Sequence, residues 1–69
     1  MEEIIKILKE FKDLAETMAD WEIINYQEEK DELKKAEKRG KIKAYYQVSD
    51  IIQTDINSFE RIKEWLQQY

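Results

Sequence analysis

The chain has no cysteine, no histidine and no proline, and a single glycine among 69 residues. Without cysteine there are no disulfides and no thiolate ligands. Without histidine as well, zinc and most transition metals lose their usual donors, and neither a Ser–His–Asp triad nor a Cys–His pair can be assembled. One glycine cannot make a glycine-rich phosphate loop. Paired carboxylates do occur, at Glu28–Glu29 and Asp31–Glu32. They lie in a lysine-rich polar stretch, whereas general acid–base catalysis wants a carboxylate in an apolar cleft. The expectation is a non-enzymatic protein with no cofactor, no metal and no small-molecule substrate. Apolar runs are short, so no segment is expected to span a membrane. The N-terminal MEEIIKILKEF is charged throughout and lacks the apolar stretch of a signal peptide. A cytoplasmic location is expected.

Charge and apolar spacing carry what information there is. Charged residues make up 41% of the chain, with a net charge of −4. Glu, Lys, Ile and Leu dominate, as in long helices and bundles. Ile4, Leu8, Phe11, Ala15 and Met18 step by three and four, with Ile7 and Leu14 widening the stripe, and predict an amphipathic helix over 2–19. Asp20 is placed to cap a second helix, 21–39, or equally to sit inside one continuous helix, because the stripe runs on at helical pitch through Tyr26, Leu33, Ala36 and Gly40; the stretch EEKDELKKAEKR interleaves opposite charges.

Gly40 follows Lys38 and Arg39, a pattern suited to a helix C-terminus; alternatively the helix runs straight through, with Ala36, Gly40 and Ala44 as a row of small residues four apart that lets another helix approach closely. The alternation of Ile42, Ala44, Tyr46 and Val48 also suits a strand over 41–48. Further on, Tyr45, Val48, Ile52, Asp55, Phe59, Ile62, Leu66 and Tyr69 form a heptad seam with Asp55 as its one polar member. Asn57 with Glu60 fits a capping box and predicts a break near 54–58, giving helices 42–54 and 58–69. The fold expected is all-α: one domain forming a small antiparallel bundle or helical hairpin of two to four helices, completed by homodimerisation. A core this small ordinarily needs such an addition.

Segment by segment the charge is uneven. Residues 1–29 carry three basic and nine acidic groups, residues 30–43 seven and three, and residues 44–69 two and four. The basic run Lys34, Lys35, Lys38, Arg39, Lys41 and Lys43 reads either as a nucleic-acid footprint or as counter-charge to acidic neighbours. The overall acidity, which phosphate repels at long range, favours the second. The acidic row Glu10, Asp13, Glu16, Asp20 and Glu22 reads either as a solvated face or as a mimic of a phosphate backbone, and Lys6, Lys9 and Lys12 interrupt it.

Tyr26, Tyr46 and Trp65 lie beside or off the apolar stripes. Together with Tyr45, Val48, Ile52, Phe59, Ile62, Leu66 and Tyr69 they are the candidates for a dimer or partner interface. The acidic, cysteine-free, Lys/Glu/Ile-rich style is similar to that of small accessory proteins of phages and mobile elements. That similarity implies a protein that binds and inhibits one host protein in the host cytoplasm. The alternative is a small DNA-binding regulator. VSDIIQTDINSFERIKEWL resembles the C-terminal half of a helix-turn-helix unit if cut as helix 48–53, turn 54–57 and helix 58–68.

Overall fold

A computed structural model describes residues 1–68. Two α-helices make up nearly all of them, α1 over Glu2–Glu28 and α2 over Glu32–Gln67. They run antiparallel as a hairpin: Lys63 Nζ reaches Glu2 Oε1 at 2.6 Å near the free ends, and Lys38 Nζ reaches Glu29 Oε2 at 2.8 Å beside the turn. The Cα atoms extend 58 × 14 × 11 Å.

The turn falls at 29–31, ahead of the expected break at Gly40. Glu29 leaves the helix in an extended conformation, φ −76° and ψ 130°. Asp31, also extended, caps α2: its Oδ1 accepts from the backbone N–H of Leu33 at 2.9 Å and of Lys34 at 3.2 Å. Glu29 Oε1 accepts from the N–H of Asp31 at 3.1 Å, which closes the turn. The break sets Asp31 and Glu32 at a helix N-terminus, where negative charge is favourable, while Glu29, at the unfavourable C-terminus of α1, is countered by Lys38. Gly40 lies inside α2, and no residue in the described chain has positive φ.

The break at 54–58 and the strand over 41–48 are absent, and at Asp20 the structure has the continuous helix of the two alternatives. Asp20 and Trp21 continue α1, so helices 2–19 and 21–39 are replaced by 2–28 and the start of α2. Residues 41–48 are helical. The segment 54–58 is also helical, because its polar side chains bond within the helix. Thr54 and Ser58 donate to the carbonyls of Asp50 and Thr54, both at 3.1 Å, and Asn57 Oδ1 accepts from Gln53 Nε2 at 2.9 Å. Such i−4 bonds let Ser and Thr sit mid-helix. The turn that a helix-turn-helix unit requires at 54–57 is therefore not formed.

The helices meet along a narrow strip. Ile5, Leu8, Lys12, Ala15 and Ala19 of α1 face Tyr45, Ser49, Ile52, Ile56 and Phe59 of α2, all buried or half-buried. Ala15, Ala19 and Ser49 are buried small residues, and small side chains let backbones approach closely. Ser49 Oγ donates to Glu16 Oε1 at 3.0 Å, and Lys12 Nζ donates to the same oxygen at 2.6 Å, so no buried side-chain polar atom among the described residues lacks a partner. Ile56, 2% exposed, is the one large side chain among the described residues that is fully buried.

Two substitutions test this arrangement by thermal unfolding. Ile56→Ala is expected to cost about 2–5 kcal/mol, as buried Ile-to-Ala changes do. Gly40→Ala is expected to raise Tm by several degrees, because nothing lies within 4 Å of the added methyl and glycine inside a helix costs roughly 1 kcal/mol relative to alanine. A lowered Tm for Gly40→Ala would place the turn at Gly40 after all.

Candidate functional site

Each helix carries a second apolar row beside the strip that joins them. On α1 it is Ile4, Ile7, Phe11, Leu14, Met18 and Trp21, spaced three, four, three, four, three. All six are between 40% and 57% exposed. On α2 it is Val48, Ile51, Ile62, Trp65 and Leu66, between 42% and 63% exposed, with Asp55 on the same line midway between Val48 and Ile62. The two rows flank one groove. Phe11, Leu14 and Met18 form one wall, Tyr45, Val48 and Ile52 the other, and Ala15 lies between them. One side of the hairpin is thus an apolar face running most of the way from the free ends toward the turn.

The residues of the expected interface separate into groups. Tyr45, Ile52 and Phe59 are half-buried between the helices and reach the edge of the strip. Val48, Ile62, Trp65 and Leu66 are on the exposed row. Tyr46 is exposed, but at helical pitch it lies on the flank away from Val48 and Ile62. Tyr26 is half-buried against α2: Lys35 Nζ lies 4.9 Å and the Arg39 guanidinium 5.7 Å from its ring centroid, and Arg39 donates to its hydroxyl at 3.3 Å. Tyr69 lies outside the described residues. The heptad seam read from the sequence is therefore divided, with Tyr45, Ile52 and Phe59 turned toward α1 and Val48, Asp55, Ile62 and Leu66 left on the outer row. Ile5, Ala19, Ser49 and Ile56, which complete the inner strip, lie one residue from positions of the expected stripes. Only the direction of approach of the other helix separates the two choices.

The basic run does not form one patch. Lys35 and Arg39 are held on Tyr26, and Lys38 is paired with Glu29. Lys34 and Lys41 project on one side of α2 and Lys43 on another, by helical pitch. On the side away from the apolar face, a charged groove is lined by Glu2, Lys6, Lys9, Glu10 and Asp13 of α1 and by Glu60, Lys63, Glu64 and Gln67 of α2. Lys9–Glu60 at 3.5 Å and Lys63–Glu2 at 2.6 Å cross it. Acids and bases alternate there, and its alternating charges offer no single-sign surface.

Comparison with known protein families, with curated proteins and with solved structures finds nothing that matches this chain. No helix among the described residues is long and apolar enough to cross a membrane.

Three ion pairs connect the geometry to pH; at the free ends Lys63 holds the exposed Glu2 carboxyl below the ordinary glutamate value. The ammonium of Lys12, then the hydroxyl of Ser49, holds the Glu16 carboxyl below the ordinary glutamate value. Lys38, then the N–H of Asp31, does the same for Glu29. Reciprocally, Glu16 raises Lys12 and Glu29 raises Lys38. A lowered carboxyl stabilises the folded state above its ordinary range and loses that contribution as pH falls through its folded value. A raised ammonium contributes below the ordinary lysine range and loses the contribution as pH rises through its raised value. Tm followed by circular dichroism is expected to be highest between those limits and to fall on acidification below the glutamate range. The drop should be modest for such solvent-accessible pairs and smaller in Glu29→Gln. An acid limb unchanged by Glu29→Gln would show that the turn pair does not contribute.

Proposed function

We propose that this chain is a non-enzymatic protein–protein interaction module whose working surface is the apolar face, covered by another protein chain; homodimerisation of the hairpin is the simplest form of that contact. The observation that carries this reading is the double row itself. Eleven apolar side chains from Ile4 to Trp21 and from Val48 to Leu66, each at least 40% exposed, fall on one side of a hairpin. Scattered exposed apolar residues are ordinary, whereas a contiguous face of them marks an interaction surface. A partner that blocks or is blocked through this face would dock helices or a hydrophobic groove on it, the mode in which amphipathic helices recognise one another. The spent and dispersed basic residues support protein over nucleic acid as the occupant.

Photo-crosslinking in cells tests the assignment of the surface. A benzophenone amino acid at position 14 or 48 is expected to give protein adducts, and the same group at position 6, on the charged side, is expected to give few. Equal yields from the two sides would remove the apolar face as the working surface.

A further inference from the structure

We infer that the occupant of the apolar face is a second copy of this chain, and that two hairpins close into a four-helix bundle with both turns at the same end. This rests on the reading of the face as an interaction surface and names its partner. The first argument is area. A compact monomer of 8.5 kDa exposes about 4,650 Å². This hairpin exposes 5656 Å², an excess of about 1,000 Å², close to the ~800 Å² that each partner buries in a standard stable interface. Its radius of gyration, 16.3 Å, likewise exceeds the ~11 Å of a compact chain of this length.

The second argument is pattern. In a four-helix bundle every helix touches two neighbours, so its apolar stripe must be wide enough to serve both. Each helix here is built that way. One edge of the stripe, Ile5–Leu8–Ala15–Ala19 on α1 and Ser49–Ile52–Ile56–Phe59 on α2, is used inside the hairpin. The other edge is the exposed row. A two-fold symmetric contact needs a patch complementary to itself, and a second hairpin supplies rows of the same length and repeat.

Charge selects the arrangement. Residues 1–29 carry net −6 and residues 30–69 net +2. With both turns at one end, each α1 lies beside the partner's α2, and opposite net charges adjoin. With turns at opposite ends, α1 lies beside the other α1, and two strongly acidic helices are forced together. Asp55 is the only charge in the rows. In the bundle it is drawn into an apolar contact, where it sets a limit on affinity in the way that a single polar seam residue does in coiled coils.

The purified full-length chain is to be measured by sedimentation and light scattering at low and high salt. The expected result is twice the chain mass at both, with Asp55→Asn tightening self-association about tenfold or more. Leu14→Glu is expected to dissociate it. Should that variant unfold, Asp55→Asn still reports on the interface. The chain has no native cysteine, so a spin label at Lys30→Cys gives an unambiguous turn-to-turn distance, expected to be short. A monomer at every concentration overturns the second-copy inference, and crosslinks from position 14 to a different protein in cells would then leave the interaction reading standing. A dimer with widely separated labels overturns the same-end arrangement, and one indifferent to Asp55→Asn overturns the placement of the exposed α2 row in the contact.

Discussion

Two helices lying side by side can hide only a strip of one another. Everything else about this molecule depends on that limit. The strip between α1 and α2 contains four buried apolar residues, two of them alanine, and one buried serine. Ordering a residue costs on the order of 1–2 kcal/mol of backbone entropy, and fully burying one large aliphatic side chain returns roughly 1.5–3 kcal/mol. A strip this thin leaves little margin. The small residues at its centre bring the helices close, which improves the contact they have without widening it. Most of the remaining large apolar side chains are left on one flank, and the face they form follows from the same geometry that makes the hairpin.

Polar groups fix what the thin strip cannot. Glu16 takes hydrogen bonds from both Lys12 and Ser49, so the one buried hydroxyl is satisfied, and α1 and α2 are tied together at that level. Glu29 and Asp31 form the turn with side-chain oxygens where many helical hairpins would use a glycine. Tyr26 gathers Lys35 and Arg39 across the helices next to the turn. Individually such contacts are worth little at a surface. Their value is in register: with Lys63–Glu2 near the free ends, Ser49–Glu16 in the middle and Lys38–Glu29 at the turn, the bonds that cross between the helices hold one alignment.

How much of this could be read from the sequence depends on the residue. The helical character of nearly the whole chain was legible, since no proline interrupts it and the apolar steps are regular. The turn was not, because its signal is an aspartate before Glu-Leu-Lys, within a stretch of charged residues that also reads as a good helix interior. Gly40 looked like the punctuation mark, yet helix propensity charges only about 1 kcal/mol for a glycine, less than a long packed helix recovers. Thr54, Asn57 and Ser58 read as a break because such side chains compete with the backbone. Here they bond to residues one turn back and leave the ladder intact. The stripes were legible as wide apolar bands, but which edge of each band faces the other helix is decided by a rotation of less than one residue. Sequence spacing does not specify that rotation. Ile56 and Ser49 were missed for this reason, while Val48 and Ile62 fell on the outer row.

The width of those bands is then the feature that connects sequence to function. A hairpin that worked alone would gain nothing from Phe11, Leu14 and Met18 on one flank of α1 and Val48, Ile51 and Ile62 on the matching flank of α2. Polar residues there would serve solubility better. The positions recur with the heptad period on both helices, and between the α2 row and the turn the same side of α2 carries Lys34 and Lys41. An apolar surface that is periodic, confined to one side and bounded by charge has the form of half of a helical core. The one carboxylate within it, Asp55, sits near its middle. A surface shaped only for stability would have a leucine at that position; in the contact proposed above, Asp55 would trade affinity for selectivity.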